Sequence, residues 1–94
     1  MKSRLVSRNI VVNGHRTSIR LEEASWDAIE DICRFEGVNL NTICSAIDQR
    51  RTGSSRTAAV RAFIIAYFRE IVAESGRLPS GQAGKMIPEL RKTN

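Results

Sequence analysis

The sequence predicts a small, mainly α-helical domain with one β-strand near its start. Polar and apolar residues alternate from Arg16 to Leu21, with the period of two that a strand requires. From Glu22 onward, apolar residues recur at the spacing of 3.6 residues that is typical of amphipathic helices. The length of 94 residues and a composition of 41% hydrophobic and 27% charged residues suit one globular domain.

The predicted strand, from about residue 10 to residue 21, has two different faces. Arg16, Ser18 and Arg20 point one way, and Ile19 and Leu21 point the other way, where they can pack on a helix. A lone strand leaves its backbone N–H and C=O groups unpaired. The simplest partner is the same strand of a second copy, so we predict antiparallel pairing across a homodimer.

The beginning of the strand is open to two interpretations. Asn13-Gly14 between strand-like residues is a hairpin signal, and residues 10–12 would then fold back onto residues 15–17. The alternative is one continuous strand with a bulge or bend at Gly14. We favour the continuous strand slightly, and we expect residues 1–8 to form a flexible basic arm.

Three helices are predicted after the strand, at about residues 23–35, 40–50 and 56–73. Acidic residues occupy the first turns of the first helix, and Gly37 is suited to end it. Asn39 and Ser55 are suited to cap the second and third helices. The third helix is apolar on nearly every side, which indicates burial against a second subunit. An alternative is that it packs within the core of its own chain.

We therefore expect the dimer core to combine the inward face of the strand with the third helix. The predicted core residues are Ile19, Leu21, Val60, Phe63, Ile64, Tyr67 and Phe68. With the arm at residues 1–8, the domain covers residues 9–74. The remaining residues, 75–94, are rich in glycine and read as a mostly disordered tail, in which Met86, Ile87 and Leu90 could form one helical turn.

Charge and composition restrict the classes of function. The net charge of +5 and a pI of about 10.0 point to an anionic partner such as nucleic acid. No general base, nucleophile or metal-binding set is visible beside the single histidine, so we predict no enzyme activity, no metal and no cofactor. Cys33 and Cys44 lie in apolar periodic runs, which is typical of small buried hydrophobic residues. No signal peptide is visible and the longest apolar run, residues 62–68, is too short to span a bilayer, so a cytoplasmic protein without membrane contact is expected.

The segment His15–Glu22, the helix with Trp26 and Ile29, the turn at Gly37 and the helix capped by Asn39 together resemble the ribbon-helix-helix superfamily of DNA-binding proteins. The resemblance covers about residues 14–48. The further turn and third helix are similar to a bacterial subgroup of that superfamily, whereas the minimal family has no such helix. Whether the second or the third helix forms the centre of the dimer is therefore left open.

The resemblance implies that two strands pair into a ribbon that enters the major groove of double-stranded DNA, with Arg16, Ser18 and Arg20 reading base edges. It also implies that the N-terminus of the second helix holds a backbone phosphate. The expected phosphate-contacting residues are His15, Asn39, Leu40, Asn41 and Arg8.

Three functions are compatible with these observations. The first is a dimeric transcriptional repressor, forming a homodimer or higher oligomer on DNA and therefore associated with the nucleoid. The second is an antitoxin whose C-terminal tail binds a toxin protein. The third is a dimeric interaction module that does not read DNA.

Overall fold

The computed structural model describes residues 4–77 and 80–91. Two strands, β1 (Leu5–Val12) and β2 (His15–Glu22), precede three helices, α1 (Glu23–Glu36), α2 (Leu40–Arg50) and α3 (Arg56–Ser75). A short helix α4 (Gln82–Met86) and a 3₁₀ turn (Pro88–Arg91) follow. The three predicted helices are present with ends within two residues of those expected.

The strands form an antiparallel hairpin within one chain. Val12 pairs with His15 and Leu5 with Glu22 across the two-residue turn Asn13-Gly14. Both turn residues have positive φ, 51° and 84°, which is the type I′ geometry that matches the twist of a hairpin. The favoured prediction of one continuous strand over residues 10–21 is therefore wrong, and the alternative hairpin is correct.

The predicted arm at residues 1–8 is also wrong from Leu5 onward, because residues 5–8 belong to β1. The basic and polar composition of this segment suggested an arm. However, Val6 packs against the core, and Trp26 Nε1 donates a hydrogen bond to the Val6 carbonyl oxygen at 2.8 Å. These contacts with α1 are what the local composition could not indicate. Residues 1–3 lie outside the described part of the chain.

The helix ends follow from local chemistry. Gly37 adopts the left-handed conformation, with φ of 68°, and its N–H donates to the Cys33 carbonyl to end α1. Asn39 Oδ1 accepts a hydrogen bond from the Thr42 N–H at the start of α2, and Ser55 Oγ accepts one from the Ala58 N–H at the start of α3. The three predicted end signals are confirmed.

One hydrophobic core lies between the inward face of the hairpin and the three long helices. Trp26 is its largest buried side chain. The buried residues are Ile10, Val12, Ile19, Leu21, Trp26, Ile29, Ile32, Ile43, Cys44, Ile47, Val60 and Ile64. Both cysteines are free, Cys44 is buried and Cys33 packs beside the core half-buried, in agreement with their predicted role as packed hydrophobic residues.

The residues expected in the dimer core belong largely to the core of a single chain. Ile19, Leu21, Val60 and Ile64 are buried without a partner subunit, and the half-buried Phe63, Tyr67 and Phe68 pack against them. The Tyr67 hydroxyl also donates to a Glu36 carboxylate oxygen. The interpretation of α3 as a helix buried on every side by a partner is therefore corrected for one of its faces. One face of α3 packs on α1, α2 and β2, and the opposite face is exposed.

The tail, predicted to be mostly disordered, has regular structure in its described part. Residues 82–86 form α4 and residues 88–91 form the 3₁₀ turn, which includes the helical turn expected near Met86 and Leu90. Residues 78, 79 and 92–94 lie outside the described residues.

Candidate nucleic-acid interface

The outward face of the hairpin carries the three residues that were predicted to read bases. Arg16, Ser18 and Arg20 are exposed, whereas Ile19 and Leu21, which alternate with them, are 2% and 0% exposed. The predicted alternation of β2 is therefore correct. Because β1 pairs with β2, the outward side chains of β1 extend the same face. These are Ser7 opposite Arg20, Asn9 opposite Ser18 and Val11 opposite Arg16.

The two arginines of this face differ from six other arginines of the chain in having no carboxylate partner among residues 4–77 and 80–91. In the part of the chain that the structure describes, six arginines form ion pairs with carboxylates: Arg4, Arg8, Arg34, Arg51, Arg56 and Arg61. No such pair involves Arg16 or Arg20 among the described residues. Both guanidinium groups are therefore uncompensated, exposed and available to an anionic ligand.

The carboxylate nearest to them along β2, that of Glu22, is held elsewhere. Arg61 binds both Glu22 carboxylate oxygens, Oε1 to Nε at 3.0 Å and Oε2 to Nη2 at 2.8 Å. This contact is the main reason that the pKa of Glu22 is lowered to about 2, and the Ser25 hydroxyl contributes further. The ion pair turns the only acid of the β2 outward row toward α3, and so the centre of the face stays positive.

Ser18, between the two arginines, is positioned by the other strand. Its hydroxyl lies 3.0 Å from the hydroxyl of Ser7, so one of the two donates to the other. A hydroxyl that can donate or accept adapts to several base edges.

The free edge of the hairpin is on β2. In an antiparallel pair, hydrogen-bonded and non-bonded residue pairs alternate. Glu23 N–H donates to the Arg4 carbonyl at 2.9 Å, which makes that pair a bonded one. The pairs then alternate along the register, which makes Arg16, Ser18 and Arg20 members of non-bonded pairs. Their backbone N–H and C=O groups therefore point away from β1 and have no partner among residues 4–77 and 80–91.

The corresponding edge of β1 is covered by α2. The Val11 N–H donates to Asn41 Oδ1 at 3.0 Å, and the Asn13 N–H donates to Ser45 Oγ at 3.0 Å. Gln49 Nε2 also donates to Asn13 Oδ1 at 3.2 Å. These bonds, from residues 41, 45 and 49, fix α2 along most of its length beside the end of β1 and the hairpin turn.

Three of the predicted phosphate-contacting residues lie at this N-terminus of α2. The side chain of Asn39 caps the Thr42 N–H at 2.8 Å, and the side chain of Asn41 is used by Val11. Leu40 is half-buried against the core. The three side chains are therefore used for capping and packing. The groups left for a phosphate are the first backbone N–H groups of the helix, at Leu40 and Asn41.

The other two predicted phosphate contacts are placed differently. Arg8 belongs to the inward row of β1, where its guanidinium carbon lies 4.7 Å from the centre of the Trp26 ring and its Nη1 donates to Glu30. The structure thus uses Arg8 to cover Trp26. His15 is exposed at the turn end of β2. However, it alternates in step with Thr17 and Ile19, so it belongs to the inward row of the strand and not to the outward row that carries the arginines.

The exposed side of α3 is apolar. Ile65, Ile71 and Val72 are 62%, 41% and 46% exposed, and Ala62 and Ala66 are also exposed. An apolar groove lies between α2 and α3, and Arg50 and Arg51 are among the residues that line it. The apolar character of α3 predicts a dimer contact, but only part of that apolar surface is left outside the chain's own core.

A hairpin with a positively charged outer face, supported from beneath by helices, is an arrangement that can bind an anionic polymer through a β-ribbon. A family model described as a ribbon-helix-helix domain matches residues 5–68, and so the chain belongs to the ribbon-helix-helix family. This match confirms the resemblance seen in the sequence. Domains of this family generally bind DNA as dimers, in regulators and antitoxins, and are typically not enzymes.

Two further comparisons, with curated proteins and with solved structures, gave no match. Among the described residues, no helix is long and apolar enough to cross a membrane. The strand β1 falls inside the matched range. The Asn13-Gly14 signal pointed to its residues 10–12 as an alternative, whereas residues 5–9, with the outward Ser7 and Asn9, were not predicted to form a strand.

Proposed function

We propose that this protein is a homodimeric, sequence-specific DNA-binding regulator, a bacterial transcriptional repressor that reads the major groove with an intersubunit β-sheet. The observation that carries the proposal is the pair of unpaired guanidinium groups, Arg16 and Arg20, on the outward face of β2. Arginine can bind guanine O6 and N7 through two hydrogen bonds, which distinguishes that base from the others. Ser18 between them adds a donor and acceptor.

The dimer would form through the free edge of β2. Two copies of β2 running antiparallel give the order β1-β2-β2-β1, in which both central strands carry the reading residues. A second copy placed there would lie beside α3, because α3 supports β2 through Arg56 and Arg61. The exposed apolar side chains of α3, Ile65 and Val72 among them, supply hydrophobic area for the same contact.

Phosphate contacts would come from the first N–H groups of α2, at Leu40 and Asn41, where the helix dipole favours an anion. His15, at the exposed turn end of β2, is a further candidate. Arg8 is not part of the proposed interface, because its guanidinium is engaged by Trp26 and Glu30.

The test is selection from random duplex DNA by the purified protein and by the variant Arg16→Ala/Ser18→Ala/Arg20→Ala. A control variant, Arg50→Ala/Arg77→Ala, removes the same number of charges outside the proposed interface. We expect the wild type and the control to enrich one palindromic or repeated motif, and the triple variant to lose it. Enrichment of no motif by the wild type, or of the same motif by the triple variant, would show that β2 does not read bases.

Proline substitution tests the dimer separately. The Ser18 N–H points to the free edge, so Ser18→Pro should leave the hairpin folded but block pairing between subunits. The Thr17 N–H points to β1, and so Thr17→Pro should instead disrupt the hairpin. Circular dichroism and sedimentation should therefore find Ser18→Pro folded and monomeric beside a dimeric Ser18→Ala. A dimeric Ser18→Pro protein would exclude pairing through this edge.

An antitoxin is the second candidate function, and the exposed apolar residues of the tail favour it. Met86 and Leu90 are 62% and 59% exposed, as expected of residues that a protein partner could cover. Deletion of residues 76–94 should then abolish capture of a toxin expressed from a neighbouring gene while DNA binding is retained. A repressor without a toxin partner would be unaffected by the deletion in both assays.

A further inference from the structure

The four asparagines that the structure describes are not used alike. Asn13 and Asn41 hold β1 against α2, and Asn39 caps α2. Asn9, in the outward row of β1, is exposed, and no hydrogen bond of its side chain is found within the described part of the chain. Asparagine is disfavoured in strands. A strand residue that opposes local propensity and makes no side-chain hydrogen bond within the described fold indicates a role outside it.

The position of β1 decides what Asn9 can reach on DNA. Neighbouring strands are about 4.8 Å apart, so the outer strands of a β1-β2-β2-β1 sheet are separated by about 14 Å. The major groove is about 12 Å wide. The central β2 strands would therefore face the bases, and the β1 strands would face the groove walls, where the phosphates are.

A second, independent observation also places β1 next to the DNA phosphates. The N-terminus of α2 is bonded to the outer edge of β1 through Val11 and Asn41, two residues along the strand from Asn9. β1 therefore lies between the base-reading strand and the helix terminus that attracts phosphate. A side chain in that position faces the sugar-phosphate backbone and not a base edge.

We propose that Asn9 donates its side-chain amide N–H to a DNA backbone phosphate, next to the phosphate held by the N–H groups of Leu40 and Asn41. Asn9 and the start of α2 then form one clamp on the groove wall. The contact uses a neutral donor, so it positions the protein without adding to its charge. The inference rests on the proposed DNA-binding function.

The experiment measures DNA affinity over a range of salt concentrations, on the selected site and on a scrambled duplex. Asn9→Ala should weaken binding to both duplexes by the same factor, about threefold to tenfold per subunit, and should leave the selected motif unchanged. The dependence of log K on log salt should also be unchanged, because no charge is removed.

Asn9→Lys tests the same position by adding a charge, which should change the salt dependence of DNA binding. A lysine opposite a phosphate should steepen the salt dependence by about 0.9 per subunit, or about 1.8 for a dimer. Thr52→Lys, which adds the same charge on an exposed residue after α2, is the matched control and should change the slope less. Thermal melting of each variant confirms that the fold is intact.

The possible failures are distinguishable. If the wild type enriches a motif and Asn9→Ala changes the preference at one base position, Asn9 reads a base and the clamp is wrong. If Asn9→Ala has no effect and Asn9→Lys matches Thr52→Lys, Asn9 faces no phosphate. A wild-type protein that enriches no motif would instead overturn the proposed function itself.

Discussion

Arg8 and Arg20 lie on adjacent strands but on opposite faces of the hairpin, and they should therefore respond oppositely to substitution. Arg8 stacks over Trp26 at 4.7 Å and pairs with Glu30. A cation–π contact at a partly exposed site contributes about 0.5–1 kcal/mol, and an exposed ion pair contributes about 0.2–1 kcal/mol. Arg8→Ala should therefore lower the free energy of unfolding by about 1–2 kcal/mol.

For a domain of this size, that loss corresponds to a fall in Tm of about 4–16 °C. The assay is thermal unfolding followed by circular dichroism at one fixed protein concentration, because the stability of a dimer depends on concentration. Fluorescence gives a second readout, since Trp26 is the only tryptophan in the chain. Removal of the guanidinium from its ring should shift the emission in the folded state.

Arg20→Ala is the matched comparison. Its side chain is exposed and unpaired within the described residues, so its loss should change the free energy of unfolding by less than about 0.5 kcal/mol. It should instead cost about 1–3 kcal/mol of discrimination at one base position of the operator.

DNA binding separates two possible roles of Arg8. Its loss should leave the salt dependence of DNA binding unchanged. If Arg8→Ala kept the wild-type Tm and reduced the slope of log K against log salt by about 1.8, Arg8 would contact a phosphate in each subunit. The assignment of Arg8 to the support of Trp26 would then be refuted.

Three further predictions concern the turn, the ion pair and the buried thiol. Gly14→Ala should destabilise the fold by about 1–2 kcal/mol in denaturant titrations, because φ of 84° strains any residue with a Cβ although no atom lies within 4 Å; an unchanged midpoint would argue against the type I′ turn. Since Arg61 lowers the pKa of Glu22 to about 2, below its unfolded value near 4.5, this pair should stabilise the protein at neutral pH and lose that contribution as the pH falls from about 4.5 to 2. Glu22→Gln should therefore flatten the acid limb of Tm against pH, and an identical limb would contradict the pairing. Burial is the main reason that the pKa of Cys44 is raised to about 11, so a thiol reagent at pH 8 should modify the half-buried Cys33 first, and faster labelling of Cys44 would contradict its burial.

The helices and the two faces of β2 were predictable because their signals are local. Apolar spacing, the cap at Asn39 and the glycine at residue 37 act within one or two turns of chain, and each helix ends within two residues of its predicted bounds. The alternation from Arg16 to Leu21 likewise determines which side chains can face the core. The family resemblance followed from these same residues.

The extension of β1 to Leu5, the role of Arg8 and the burial of α3 were decided by contacts between distant residues. The sequence around Arg8 predicts a basic arm. In the structure the Arg8 guanidinium lies over the ring of Trp26, 18 residues further along the chain. The sequence of α3 is apolar on nearly every side, which does not show which face is covered. In the structure, α1, α2 and β2 cover one face of α3 within the same chain. The sequence by itself determined which residues are apolar and how they repeat. Only the tertiary structure decided which surfaces each chain covers for itself, because burial depends on packing between elements that no local pattern specifies.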